Sequence, residues 1–114
     1  MNAEVLLREH LHNDPSLPDA FLDVPERRPA SFITVERVGG QVEQVRDLPL
    51  VAVQCWAPSR YTASELAQDV VESLAAFRLH PNVGRVDVNS VHNFPDLESR
   101  TARYQVVVEL VTVG

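Results

Sequence analysis

One amphipathic segment, Thr62 to Leu79, most constrains what this chain can fold into. Four apolar residues recur in it at helical spacing, namely Leu66, Val70, Leu74 and Phe77. Thr62 and Glu65 match the T-x-x-E capping box that is typical of a helix start, and His80-Pro81-Asn82 ends the pattern. The segment therefore predicts a long helix with one apolar face, and that face needs a second layer to cover it.

A series of strands is predicted to supply this layer. Ser31–Val38 is rich in β-branched and aromatic residues, which favours a strand. Gly39-Gly40 predicts a two-residue hairpin turn, because such turns favour residues that adopt positive φ, and Gln41–Arg46 is then the returning strand. Leu50–Ala57 is apolar on both faces, which predicts a central strand of the sheet.

Two further strands are predicted near the end of the chain. Val83–His92 alternates weakly, whereas Arg103–Val113 alternates clearly between apolar and polar residues. Earlier in the chain, Ala3–His12 predicts a short amphipathic helix and Ala20–Val24 a short strand. These elements predict an α+β fold, with a mostly antiparallel β-sheet, a long helix packed on one face and a short N-terminal helix.

Length and composition narrow the class of protein. The 114 residues suit one domain over residues 1–114. The net charge of −6 argues against a domain whose main task is to grip nucleic acid. All ten basic residues are arginine, which indicates GC-rich coding in a high-GC bacterium or its virus. No apolar run approaches the roughly 18–20 residues of a membrane span, and the first residues do not resemble a secretory signal. We therefore expect a protein of the cytosol, or of a particle assembled there.

The residue types that carry chemistry do not form a recognisable catalytic or metal site. Cys55 is the single cysteine and lies in an apolar strand, so we expect it to be packed rather than nucleophilic. His10 and His12 are two residues apart on a helix and point in different directions, whereas His80 and His92 lie in separate segments. We expect no enzymatic activity, no metal ion and no cofactor.

Several residues outside the predicted core are candidates for contacts with another subunit or a partner: Arg27, Arg28, Trp56, Arg60, Phe94, Asp96 and Arg100. Trp56 is expected either to be half-buried in the core or to anchor a partner, because tryptophan is enriched in interface hot spots. The arginines lie beside prolines or loop starts, and the loop Phe94 to Arg100 is polar. Solvated side chains are the alternative interpretation of these positions.

A pattern of landmarks covers most of the chain, from about Val24 to Leu110. The pattern begins with V-P-E-R-R-P and continues with F-I-T-V-E-R-V-G-G and D-L-P-L-V-A-V-Q-C-W-A. It ends with a predicted helix that contains A-S-E-L-A and with the closing segment R-Y-Q-V-V-V-E-L. This pattern resembles the tail terminator proteins of long-tailed, siphovirus-type phages and prophages of actinobacterial hosts.

The resemblance implies a structural role in the virion and carries no catalytic residues over to this chain. Tail terminators are small α+β proteins that form a hexameric ring on the tail tube, stop its polymerisation and join it to the head–neck complex. The implied partners are further copies of the chain, the major tail tube protein and a head-closure or neck protein. DNA would pass through the lumen without specific binding, and no membrane is involved. The implied location is the tail–neck junction of a virion assembled in the host cytoplasm.

Two alternatives remain open at the level of sequence. One is another neck component, such as a head-closure or adaptor protein, which would also be small and without catalytic residues. The other is a small-ligand binding module on an open α+β sandwich, which would need a concave apolar pocket with a few convergent polar groups.

Overall fold

A computed structural model describes residues 2–43 and 46–113, which form a five-stranded sheet and two helices. The predicted α+β class is confirmed. In chain order the elements are α1 (Ala3–His12), β1 (Ala20–Phe21), β2 (Phe32–Val42), β3 (Arg46–Ala57), α2 (Arg60–Phe77), β4 (Val83–Asn93) and β5 (Ala102–Val113). None of the helices in these residues is both long and apolar enough to cross a membrane.

The strands lie in the order β1-β2-β3-β5-β4, so β3 is at the centre of the sheet, as its apolar sequence predicts. The short β1 runs parallel to β2, and the other neighbouring pairs are antiparallel. Strand β4 forms one edge of the sheet. The other edge is formed by the two residues of β1, and beyond them by β2 itself.

Both helices pack on the same face of the sheet, and the core lies between these layers. The predicted stripe of α2 is buried there, with Leu66, Val70, Leu74 and Phe77 all at most 6% exposed. It meets alternate residues of the central strands, namely Val51, Val53, Cys55, Val106, Val108 and Leu110. Burying each large apolar side chain stabilises the fold by roughly 1.5–3 kcal/mol, so this layer is the main support of the sheet.

Helix α2 begins two residues earlier than its sequence pattern predicts. Its N-cap is Ser59, whose side chain accepts a hydrogen bond from the backbone N–H of Thr62. The predicted capping box of Thr62 and Glu65 is therefore wrong: Thr62 lies inside the first turn, and its hydroxyl pairs with that of Ser59 at 2.9 Å. Ser59, which follows Pro58, supplies the hydroxyl acceptor that was predicted for Thr62, one turn nearer to β3.

The predicted turn at Gly39-Gly40 is also wrong, because both glycines lie within β2. The register between β2 and β3 shifts between Arg37 and Gly39, and Gly40 has a φ of 99°. The glycines therefore lie at an irregularity within the strand and not at the end of the strand. Gly40 adopts the positive φ that this irregularity needs. The backbone N–H of Glu43 donates to the carbonyl of Arg46 at 2.9 Å, which places the hairpin connection further along the chain. Positions 44 and 45 of the predicted strand Gln41–Arg46 lie outside the described residues.

The remaining boundaries are close to the predictions. Helix α1 has the predicted limits, and the last two strands differ from theirs by one residue. Strand β1 ends at Phe21 rather than Val24, and β3 begins at Arg46 rather than Leu50. The earlier start of β3 follows from the longer hairpin, in which Asp47 pairs with Val42.

Candidate functional site

One face of the sheet carries neither of the described helices. Side chains alternate along a strand, so the neighbours of core residues such as Ile33 and Val106 point to this second face. Its residues come from four strands: Phe32, Thr34, Gln54, Trp56, His92, Arg103 and Gln105. We call it the uncovered face, and it holds the most organised set of side chains outside the core.

An aromatic and cationic cluster occupies the end of the uncovered face where β3 terminates. Phe32 and Trp56 are opposite each other on adjacent strands, and their rings stack with centroids 5.2 Å apart and an interplanar angle of 10°. The guanidinium carbon of Arg103 lies 4.7 Å from the centroid of Trp56, and that of Arg28 lies 5.2 Å away. Phe94 completes the cluster, which we call the arginine–tryptophan corner (Arg28, Phe32, Trp56, Phe94 and Arg103).

Trp56 is only 2% exposed although no helix covers it. Arg28, Phe32 and Arg103 lie against its ring, so side chains of the corner, rather than a helix, contribute to the burial of the indole. Trp56 was expected either to be half-buried in the core or to anchor a partner, and the partner contact stays a prediction. The residue is packed, but on the uncovered face and outside the main core.

Arg103 is held between two aromatic rings, since its guanidinium carbon also lies 4.5 Å from the centroid of Phe94. Its Nε donates a hydrogen bond of 2.7 Å to the backbone carbonyl of Phe94. Burial lowers the pKa of Arg103, and the charge of Asp96 acts in the opposite direction. The guanidinium is therefore fixed in orientation, while among the described residues its two terminal nitrogens donate no hydrogen bond.

A chain of side-chain hydrogen bonds runs from the corner across the sheet. The indole Nε1 of Trp56 donates to Thr34 Oγ1 at 3.0 Å, and that hydroxyl donates to Gln54 Oε1 at 3.2 Å. Gln54 Nε2 donates to Gln105 Oε1 at 3.1 Å, and Gln105 Nε2 lies 3.4 Å from His92 Nε2. This polar ladder connects β2, β3, β5 and β4. It fixes the side chains of a face that would otherwise be a set of independent solvated residues.

Concave regions lie on the uncovered face and beside the helices. A groove of about 270 Å³ lies at the other end of the uncovered face, beside the base of the β2–β3 hairpin, and is open to solvent. Its lining combines Leu48, Leu50 and Val111 with the ion pair of Arg85 and Asp87. The groove is wide and partly charged, which differs from the enclosed apolar pocket that a small-ligand module needs.

The second cleft, of about 400 Å³, lies between α1 and the end of α2 and contains both His10 and His80. His10 Nε2 is 2.8 Å from the carbonyl oxygen of Ser73, and His80 Nδ1 accepts from the backbone N–H of Asn82 at 3.0 Å. These ring nitrogens thus already take part in structural hydrogen bonds. Among the residues that the structure describes, no three His, Cys, Asp or Glu side chains form a group that could hold a metal ion.

Three of the predicted contact residues, Arg28, Trp56 and Phe94, come together in the arginine–tryptophan corner. Asp96 lies close by, bridged to Thr101 through the backbone, and the hydrogen bond from Ser99 lowers the pKa of its carboxyl group.

The other three predicted residues do not join this cluster. Arg27 and Arg100 are exposed, and Arg100 adopts a φ of 55° in its loop. Arg60 is exposed at the first position of α2, which packs on the opposite face of the sheet.

Sequence reasoning missed Arg103, which is the centre of the corner. A usable signal was present, because Arg103 alternates with Gln105 on the side of β5 opposite to the apolar residues. Pairing the two strands places Arg103 directly opposite Trp56. Both strands were predicted, but the register between β3 and β5 was not.

Cys55 lies on the helix side of β3 and is fully buried, as its apolar context predicts. Burial raises the pKa of its thiol far above the ordinary value, and the charge of Asp69 acts in the same direction. Because the thiolate is the nucleophilic form, this environment suits a packing residue.

No protein-family model matches the sequence, and no curated protein matches it at a significant level.

Proposed function

We propose that this chain is a structural virion protein, the tail terminator of a siphovirus-type phage. Six copies form a closed ring that caps the tail tube, ends its polymerisation and joins the tail to the head–neck complex. The partners in this proposal are neighbouring copies of the chain, the major tail tube protein and a head-closure or neck protein. The chain has no enzymatic role, and DNA passes through the lumen without specific binding.

The observation that carries the proposal is the uncovered face of the sheet. This face carries the stacked Trp56, two arginines and the polar ladder. Contacts within the subunit hold these side chains in place before a partner binds. Preorganised aromatic and arginine side chains are enriched in protein–protein interfaces. This supports a role in assembly, and the sequence resemblance to tail terminators selects this kind of assembly.

The shape of the subunit also supports a ring. A closed ring requires two different surfaces on each subunit, so that the front of one meets the back of the next. This chain presents a helical layer on one side and an uncovered sheet face on the other. The net charge of −6 suits a ring through which DNA slides, because an acidic surface does not hold phosphates.

The direct test is a reconstruction of the neck of virions that encode this chain. The proposal expects the chain in a sixfold ring between the tail tube and the head connector. Its absence from virions, or a position at the portal with twelvefold symmetry, would contradict the proposal. The latter result would favour an adaptor protein.

A deletion provides an independent test. Particles assembled without the chain are expected to have abnormally long tails, or tails that do not join heads. Complementation with the wild-type chain is the control, and normal joined tails in the deletion strain would also reject the proposal.

A further inference from the structure

The arginine–tryptophan corner brings two guanidinium groups together over one aromatic ring. Arg28 and Arg103 both lie over the ring of Trp56, with guanidinium carbons within 5.2 Å of its centroid. Neither arginine forms an ion pair within residues 2–43 and 46–113, in contrast to Arg37, which binds Asp47 through two nitrogens. Two cations held close together without an ion pair favour an anionic partner, although the charge of Asp96 acts on Arg103.

The same chain carries a set of exposed carboxylates on the other side of the molecule, one of which, Glu65, hydrogen-bonds Tyr61 and raises the pKa of its hydroxyl. Glu65, Asp69 and Glu72 are all exposed and follow each other at spacings of four and three residues along α2, so they share one flank of that helix. None of them forms an ion pair among the described residues. Tyr61, which is 73% exposed, lies one turn before Glu65 and extends this flank. We call these three carboxylates the acidic stripe.

We propose that the acidic stripe of one subunit docks on the arginine–tryptophan corner of the next subunit. The stripe lies on the solvent side of α2, and the corner lies on the face of the sheet that α2 does not cover. The contact therefore joins two different surfaces, as a head-to-tail ring requires. The inference rests on the proposed function in one respect, namely that copies of this chain assemble with each other.

The corner is well suited to carboxylates held on a rigid element. The terminal nitrogens of an arginine can bind a carboxylate through two parallel hydrogen bonds. Arg103 is already oriented by two rings and by its bond to the carbonyl of Phe94, so it loses little conformational entropy on binding. A helix that presents carboxylates at i, i+4 and i+7 offers ligands to both arginines from one surface.

A phosphate polyanion is the competing occupant of the corner. Both a polyanion and a second copy of the chain meet the field of a subunit whose net charge is −6, so this field does not separate the two occupants. A second copy of the chain carries its carboxylates on a defined surface and matches the corner locally. Short duplex DNA is therefore a suitable probe to separate these two possibilities.

Two charge reversals test the contact in the purified full-length chain. Arg28→Glu changes an exposed residue of the corner, and Asp69→Arg changes the middle of the stripe. We expect wild-type chains to self-associate with a dissociation constant of about 1 mM or lower. We expect either reversal to raise the dissociation constant at least about tenfold, because like charges then face each other. Arg85→Glu is the control with the same change in charge, at the other end of the uncovered face.

Mixing the two variants is the decisive step. In the mixture, the intact stripe of the Arg28→Glu chain meets the intact corner of the Asp69→Arg chain, and the two reversed surfaces also complement each other. Sedimentation velocity should therefore show association in the mixture and weak or no association in either variant alone.

Several results would overturn the inference. They are a monomeric wild type at about 1 mM, variants that associate like the wild type, and a mixture that does not recover. Wild-type binding to short duplex DNA that is lost on Arg28→Glu would assign the corner to phosphate instead. Failure of this contact and failure of the proposed function are distinguishable. A sixfold ring in the virion neck, with the corner facing solvent, would reject this contact and support the proposed function. Association through the corner by a chain that is absent from virions rejects only the proposed function.

Discussion

Trp56 donates its indole N–H to the hydroxyl of Thr34 on the neighbouring strand, at a distance of 3.0 Å. This bond joins the arginine–tryptophan corner to the polar ladder, because the same hydroxyl donates to Gln54. Both residues are at most 5% exposed, although they lie on the face without helices. The bond satisfies the one polar atom of a buried indole, so it determines how the corner is held.

Replacing Thr34 tests this bond. Thr34→Val keeps the shape of the side chain but leaves the indole N–H without an acceptor, so we expect a loss of about 1–3 kcal/mol in the free energy of unfolding. Thr34→Ser keeps the hydroxyl and should cost no more than about 1 kcal/mol for the lost methyl group. Urea unfolding measures both values, and hydrogen exchange of the indole N–H should accelerate only in the valine variant. Equal costs in the two variants would show that the hydroxyl contributes nothing.

Arg103 is expected to shield Trp56 from water. Arg103→Ala removes a guanidinium that lies 4.7 Å from the indole centroid and its bond to the carbonyl of Phe94. We expect a red shift of the tryptophan emission and a loss of about 0.5–1 kcal/mol or slightly more in the free energy of unfolding. Trp56 is the single tryptophan of the chain, so the emission reports on this corner alone. Arg27→Ala is the control at an exposed position nearby, and an emission shift in it as large as in Arg103→Ala would contradict the assignment.

The elements that sequence predicted best are those whose pattern is long and has one physical cause. The apolar stripe of α2 and the alternation of β5 each extend over ten residues or more, and both follow from burying one face against the core. The apolar character of β3 likewise predicted its central position. Near the corner its side chains are buried on both sides, by the helices on one face and among the corner side chains on the uncovered face.

Local signals with two possible meanings misled the prediction. Gly39-Gly40 is typical of a hairpin turn, but positive φ is also needed where a strand changes register, and the structure uses Gly40 in that way. At α2, both Ser59 and Thr62 can cap a helix, and only the path of the chain out of β3 decides between them.

The candidate site was predictable only in part, because it depends on how strands pair. Arg28, Trp56 and Phe94 were selected by residue type and loop context. Arg103 and the polar ladder follow from the register between β3 and β5, which places Arg103 opposite Trp56 and Gln105 opposite Gln54. The sequence does not determine this register directly. Both strands are long and apolar on the side of the core, so shifting one of them by two residues keeps the apolar side chains on that side.

The two glycines of β2 should respond very differently to alanine. A Cβ atom at Gly40 would lie 2.1 Å from the carbonyl oxygen of Leu48, and the φ of 99° is unfavourable for any L side chain. Gly40→Ala should therefore lower the free energy of unfolding by about 1–3 kcal/mol or more. Gly39→Ala is the matched control, because the nearest atom to its added Cβ is the side chain of Leu50 at 4.0 Å. Thermal unfolding of both variants measures the difference, and similar effects would restore the simple turn interpretation.

The buried thiol of Cys55 gives the protein a specific dependence on alkaline pH. Burial raises the pKa of Cys55, so in the folded protein the thiol keeps its proton where an unfolded thiol, with a pKa of about 8.5, releases it. The stability that this group contributes is fully present below pH 8.5 and declines above it, by at most about 1.4 kcal/mol per pH unit. Cys55→Ala removes this dependence while the tyrosines and arginines remain, so the difference in unfolding free energy between the two proteins should shrink above about pH 9. A thiol reagent at pH 8.5 should also label the wild type only as fast as it unfolds, and rapid labelling of the native chain would show that Cys55 is accessible.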